Sequence, residues 1–258
     1  MNRKDKPEAL YGSNGSLLCL KAGGKSWLLP LDFNDVGHKR GGMFAAFPFG
    51  SNARKFGWNR HGPLRDTTMV KQGYSRKEIY TQKHPLVGTY EGTEFSLDAK
   101  YTYEFVNPTT FGVVAEITQT NDQKAIIPSN FGFHPYFKCP DPDRDITVSG
   151  HDDWTTVIHV APRELEIFKK GLGEKINQNQ KIDIVIPGQG SIRMHLEGFS
   201  NLYMWRDRND FICVEPTETK IELFGTSEGS LLHHGKTKVF KMYLEFHPEE
   251  LNQKVKNL

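Results

Sequence analysis

In the stretch LDAKYTYEF, Leu97, Ala99, Tyr101, Tyr103 and Phe105 alternate without a break with Asp98, Lys100, Thr102 and Glu104. Successive side chains of an extended chain point to opposite faces, so this run predicts a strand with one apolar and one solvated face. VNPTT follows as a turn. FGVVAEITQT then continues with Val113, Ala115 and Ile117 on one side, which predicts an antiparallel partner. The same alternation returns in VFKMYLEF, where Phe240, Met242, Leu244 and Phe246 share a face. NLYMW and FICVE read as two strands joined by the polar turn RDRND, and ITVSG, KIDIVIPG and SIRMHLEGF add short strands. Turn signals recur in GSNGS, KAGGK, TNDQ and IPGQG. Helical patterning is confined to PRELEIFKKGL, a short helix ended by Gly171. The expected architecture is all-β: a large antiparallel β-sandwich with few short helices, in a single domain spanning residues 1–258.

Composition narrows the partners. Lys+Arg of 33 against Asp+Glu of 31 leaves a formal charge of +2, which gives no reason to expect nucleic acid or an anionic membrane. No run approaches the roughly 20 apolar residues of a membrane span, and MNRKDKPEALYGS carries charges with no apolar stretch behind them. The three cysteines, Cys19, Cys139 and Cys213, are scattered and form no CxxC pair, so neither a disulfide framework nor a structural zinc site is expected. A reduced cytoplasmic protein is the expectation. Cys213, between Ile212 and Val214, reads as a small buried hydrophobe.

Three segments carry candidate chemistry. RGGMFAAFPFGSNARKFGWNRHGPLRD, residues 40–66, holds Arg40, Arg54, Arg60, His61 and Arg65 and is too irregular for one strand, so a long loop or a bulged strand is expected. NFGFHPYFKCP sets His134 among Phe133, Tyr136 and Phe137; taken alone, such a histidine is more often core filling with satisfied nitrogens than a catalyst. FICVEPTE ends an apolar strand at Glu215, where a desolvated carboxyl would suit a general base. Glu218 reads instead as the solvent-facing glutamate of that strand end. No GxSxG elbow, phosphate-binding GxxxxGK[ST] loop or HExxH helix occurs. His233 and His234 read as an exposed pair in a turn; His151, Asp152 and Asp153 form either a polar turn or part of a site.

These segments, in this order, resemble the aldose 1-epimerase (galactose mutarotase-like) family. NFGFHPYF is similar to its N-x-G-x-H-P-Y-F block, FICVEP to its strand bearing the base glutamate, and NRHGPLRD to its HG-F-A-R block. The closing LLHHGKTKVFKMYLEF also fits, and the likeness runs from Gly41 to Phe246. It implies a carbohydrate on a concave sheet face and cofactor-free interconversion of α and β anomers of an aldose. His134 would be the general acid, Glu215 the general base, and His61 a second histidine at the ring oxygen or a hydroxyl. Arg65 would match the block's arginine, and Asn52 and Arg54 an Asn-Arg pair. The sugar-binding aspartate of the family has no clear counterpart, with Asp152, Asp153, Asp207 and Asp210 all open. HGPLRD also lacks the aromatic of the family block.

KRGGMFAAFPFG has a likeness to a block of hexose-6-phosphate 1-epimerases, and Arg40, Arg54 and Arg65 would suit a 6-phosphate because guanidinium pairs bidentately with it. HPYF and CVEPTE lie nearer the free-sugar members. Two other readings stand: a non-catalytic carbohydrate-binding module using Trp58, Phe133, Tyr136 and Trp205 for stacking, and a facial metal site of His61, His134 and Glu215. The ligand expected is a small-molecule sugar or sugar phosphate, with no cofactor or metal, and the protein a monomer or homodimer. His134 and Glu215 are expected to face each other across a cleft about one sugar ring wide.

Overall fold

The computed structural model describes residues 6–31, 41–50, 53, 58, 61–73, 77–120, 125–150, 154–158, 172–176 and 180–249. In chain order the strands are β1 (Glu8–Tyr11), β2 (Leu17–Ala22), β3 (Lys25–Ser26), β4 (Met43–Ala46), β5 (Met69–Lys71), β6 (Lys77–Gln82), β7 (Leu86–Tyr90), β8 (Thr93–Asn107), β9 (Thr110–Gln119) and β10 (Ile126–Ser129). They continue with β11 (Gly132–Lys138), β12 (Ile146–Gly150), β13 (Thr155–Ile158), β14 (Leu172–Lys175), β15 (Lys181–Ile186), β16 (Gly190–Glu197), β17 (Asn201–Trp205), β18 (Phe211–Thr217), β19 (Ser230–His233) and β20 (Thr237–Pro248). The only helical elements among the described residues are 3-10 turns, including Pro63–Asp66 and Ile221–Leu223.

Two large antiparallel sheets face each other. One runs β1-β2-β4-β11-β18-β17-β14 with β3 on β2; the other runs β13-β12-β15-β16-β20-β9-β8-β6-β5 with β7 on β8. β10 and β19 form a separate pair. The predicted β8–β9 hairpin pairs antiparallel across its turn, and the predicted runs in β12, β15, β16, β17, β18 and β20 are all strands. Short strands such as β1, β3 and β5 carried no comparable alternation. PRELEIFKKGL, except for Leu172 at the start of β14, lies outside the described residues.

The core lies between the two sheets. β8 and β9 send in Leu97, Ala99, Tyr101, Tyr103, Val113, Ala115 and Ile117, and β20 sends in Phe240, Met242, Leu244 and Phe246. From the opposite layer come Phe133 and Phe137 of β11, Ile212 and Val214 of β18, and Leu202 and Met204 of β17. Ring contacts such as Trp27–Phe246 (4.7 Å) and Phe131–Phe240 (4.6 Å) join the layers. Each large apolar side chain buried this way contributes roughly 2 kcal/mol. Cys19, Cys139 and Cys213 are free thiols. Burial pushes the Cys139 thiol up to about 12, which keeps it protonated and unreactive.

Glu218 departs from expectation. It is 8% exposed, and its Oε2 accepts from Ser129 Oγ (2.7 Å) and the Phe131 amide (3.2 Å). Oε1 accepts from Ser230 Oγ (2.5 Å) and from the Lys238 ammonium. The carboxylate thus ties the end of β18 to β10, β19 and β20, partners that the local sequence does not reveal. Removing one member of a buried ion pair costs about 3 kcal/mol because the other is left uncompensated. Glu218→Ala is therefore expected to lower the Tm by about 6–12 °C. A thermal unfolding curve that superposes on that of the unmutated protein would show the network to be energetically silent.

Candidate active site

On the far side of the first sheet, a second apolar cluster gathers Phe44, Ala46, Phe49, Tyr136, Tyr203, Phe211, Cys213 and Ile221, with Leu29 and Trp205 packed against it. Strand alternation produces it. In β11, Phe133 and Phe137 enter the core while His134 and Tyr136 point outward; in β18, Ile212 and Val214 enter while Cys213 and Glu215 point outward. Both faces are covered, so β4, β11 and β18 are buried over nearly their whole length.

Register assembles the site. His134 pairs with Phe44 of β4, and Glu215 pairs with Tyr203 of β17. Gly132 lies opposite Thr217 and Tyr136 opposite Cys213, which sets His134 beside Glu215. Side chains directly opposite on neighbouring strands are about 5 Å apart at Cβ. His134 Nε2 accordingly lies 3.1 Å from Glu215 Oε1, with only 5% and 2% of the side chains exposed. The expected cleft one sugar ring wide is not there. Acid and base candidates touch, because their strands are neighbours, and a ligand must lie over the pair rather than between its members.

Rings fix the histidine. His134 stacks on Phe44 (4.7 Å, 26°) and on Tyr136 (4.7 Å, 15°), and Trp205 meets it edge-on at 6.0 Å. His61 stands edge-on to His134 with centroids 5.2 Å apart, and Arg65 lies over Phe44 at 4.3 Å while its Nη1 approaches His61 Nδ1 at 3.4 Å. His134, Glu215 and Tyr136 form the buried floor, and His61, Arg65 and Trp205 reach partly into solvent. Segment 40–66, expected as a loop or bulged strand, contains β4 at the sheet centre and the Pro63–Asp66 turn.

Asn130 braces the floor. Its Nδ2 donates to the Phe49 carbonyl (2.5 Å), its Oδ1 accepts from the Thr219 amide (3.0 Å), and its own carbonyl accepts from Phe49 N (2.7 Å). The chain after β4, the start of β11 and the end of β18 are thereby joined.

Other predicted residues fall elsewhere. Arg40, Asn52, Arg54 and Arg60 lie outside the described residues, as do His151, Asp152 and Asp153. Phe133 faces the core and Trp58 packs edge-on against Phe95 of the second sheet, so neither joins this face. Asp207 and Asp210 belong to the turn between β17 and β18, where Asp210 is held by Arg208 at 3.1 Å. That turn is also held by Arg206, whose Nε donates to the Arg208 carbonyl and whose Nη2 donates to Asn209 Oδ1. Burial lowers the Arg206 pKa. His233 and His234 are exposed, as expected. Sequence reading missed a cavity of 190 Å³ on the same side of the sheet, lined by Asn201, Leu202, Tyr203, Thr217, Lys220, Ile221 and Glu222. Only strand parity signalled it, since Asn201, Tyr203 and Thr217 share the face of Glu215.

The metal-type donors that converge among the described residues are His134, Cys213 and Glu215, within 4.8 Å of one another. Cys213 stands where His61 was expected in a facial set. The fixed positive charge of Arg65, over Phe44 and against His61, opposes a cation there.

No protein-family model matches the chain, and no curated protein sequence matches it significantly. Solved structures do. A galactose mutarotase related enzyme from Lactobacillus acidophilus superposes with a TM-score of 0.70 at 13% identity, covering 94% of this chain and 95% of its own. The fold is galactose mutarotase-like. A galactose mutarotase-like protein from Lactobacillus casei matches with a TM-score of 0.68 at 18% identity, over 94% of this chain and 97% of its own. Another, from Clostridium acetobutylicum, gives 0.62 at 14% identity over 95% and 94%. The galactose mutarotase-like sandwich thus agrees with the fold that the sequence motifs implied. No helix among the described residues is long and apolar enough to cross a membrane.

Proposed function

We propose that the chain is a sugar 1-epimerase that interconverts the α and β anomers of a free aldose by opening and closing its ring. The observation that carries this reading is the 3.1 Å contact between His134 and Glu215 on an aromatic-lined face. The anomeric hydroxyl O1 and the ring oxygen O5 are bonded to the same carbon, so the groups that serve them have to stand side by side. Glu215 takes the proton of the O1 hydroxyl while His134 gives one to O5. The C1–O5 bond breaks, C1–C2 rotates, and closure reverses the transfers. The pair begins as imidazolium and carboxylate and ends as imidazole and carboxylic acid, so its net charge does not change. That matters in a buried site, where an isolated charge is costly. Trp205 and Tyr136 offer ring surface to the sugar's apolar side, and the neighbouring cavity offers Asn201, Tyr203 and Lys220 to its hydroxyls.

Arg65 leans on Phe44 and His61, a placement that favours a role at the sugar ring over a grip on a remote 6-phosphate. The test is anomer exchange followed by NMR across a panel of aldoses and aldose 6-phosphates. Acceleration is expected for a free aldose. Exchange confined to phosphorylated sugars would replace the substrate assignment, and sugar binding without any acceleration would identify a carbohydrate-binding module instead.

A further inference from the structure

His61 and Arg65 are four residues apart in HGPLR, and the 3-10 turn Pro63–Asp66 brings their side chains together. Both ends of this small unit are anchored. Gly62 lies against the Phe47 carbonyl, the buried Leu64 holds the turn to the body, and Asn14 Nδ2 donates to the Arg65 carbonyl at 2.7 Å. The guanidinium rests on the Phe44 ring, and its Nη1 reaches His61 Nδ1 at 3.4 Å.

The chemistry of the two groups fixes where the imidazole proton can be. Arginine has five N–H donors and no acceptor, and it stays charged. A guanidinium N–H aimed at Nδ1 meets a lone pair there only if the ring proton sits on Nε2. A proton on Nδ1 would set N–H against N–H, and an imidazolium would add a second positive charge in contact with the first. At 3.4 Å the contact is longer than a usual hydrogen bond, yet the charge argument acts at that separation without one.

We propose that Arg65 holds His61 as the neutral imidazole with its proton on Nε2, so that His61 meets the ligand as a fixed hydrogen-bond donor and not as an acid or base. Nε2 is the tip of the ring, and its N–H suits an uncharged oxygen such as a sugar hydroxyl or ring oxygen. The ligand class rests on the epimerase reading above; the tautomer does not. Arg65 is then a positioning residue, and proton transfer is left to His134 and Glu215 alone.

The experiment is nitrogen-15 NMR of the histidine rings in the ligand-free protein at neutral pH, with the His61 signals assigned from the spectrum of His61→Gln. The unmutated protein is expected to show His61 as the Nε2–H tautomer, and Arg65→Met a mixture of tautomers or a protonated ring. With an exchanging sugar, Arg65→Met is expected to lower kcat/KM about tenfold, the size of one misaligned hydrogen bond to the reacting centre. An Nδ1–H or doubly protonated His61 in the unmutated protein overturns the proposal, even if Arg65→Met does not fold. An Arg65→Met spectrum with His61 unchanged overturns it as well. Absence of anomer exchange in every sugar tested counts against the epimerase reading only, since the tautomer is read without ligand.

Discussion

Glu215→Gln is expected to slow anomer exchange by about 10³-fold in protein that still folds. Glutamine keeps the shape of the side chain, and its amide oxygen can occupy the place of the carboxylate oxygen 3.1 Å from His134 Nε2. What it loses is the ability to take the O1 proton. His134→Gln is expected to fall by a similar factor through loss of the proton delivered to O5. Because the two groups exchange protons with one substrate carbon's oxygens as a unit, the double variant is expected to be little slower than either single one. Exchange NMR gives the rates, and circular dichroism with thermal unfolding checks the fold. If the Glu215→Gln protein exchanges anomers at the unmutated rate, the carboxylate is not the base and the site assignment is wrong.

A stability loss as large as that of Glu218→Ala is expected from Gly62→Ala. Gly62 has φ +68, and a Cβ placed there would lie 1.9 Å from the Phe47 carbonyl oxygen and 2.2 Å from its carbon. The obstruction is backbone, and Phe47 is itself a fully buried core residue, so neither side can yield cheaply. Left-handed backbone costs a non-glycine residue about 1–2 kcal/mol and overpacking about 1–3 kcal/mol more. Together these amount to about 3 kcal/mol, or about 6–12 °C in Tm for a chain of this size. The substitution also moves His61 and the Arg65 turn. Since an error of about 1 Å in a positioned group can cost about 10²-fold, kcat should fall alongside stability. A Tm within about 2 °C of the unmutated value would mean that this close approach does not exist in solution.

The strands whose facing the sequence made legible are those with one wet face; β17 and β18 are read as strands only from their apolar runs. Leu97 and Ala99 alternate with Asp98 and Lys100 because β8 has the core on one side and a more exposed surface on the other. β4, β11 and β18 offer no such contrast, since both of their faces are covered, and their apolar runs say nothing about which residues point outward. There the motif resemblance, not periodicity, singled out His134 and Glu215. Glu218 shows the converse failure. Its neighbours in sequence suggest a solvent-facing strand end, but Ser129, Ser230 and Lys238 arrive from three other strands to bury and satisfy it. Phe133 and Trp58 lie away from the site for a related reason, since an aromatic residue does not announce which layer it fills.

The sequence by itself determined the sandwich class and the main hairpins, because alternation is a local property of the chain, and its motif resemblance named the acid and base candidates. The tertiary structure alone decided that His134 and Glu215 touch, that His61 and Arg65 stand beside them, and that the ring-lined face lies outside the core. Those are facts of register between strands distant in the chain. A shift of one residue in β11 against β18 would turn His134 into the core and leave no site at all.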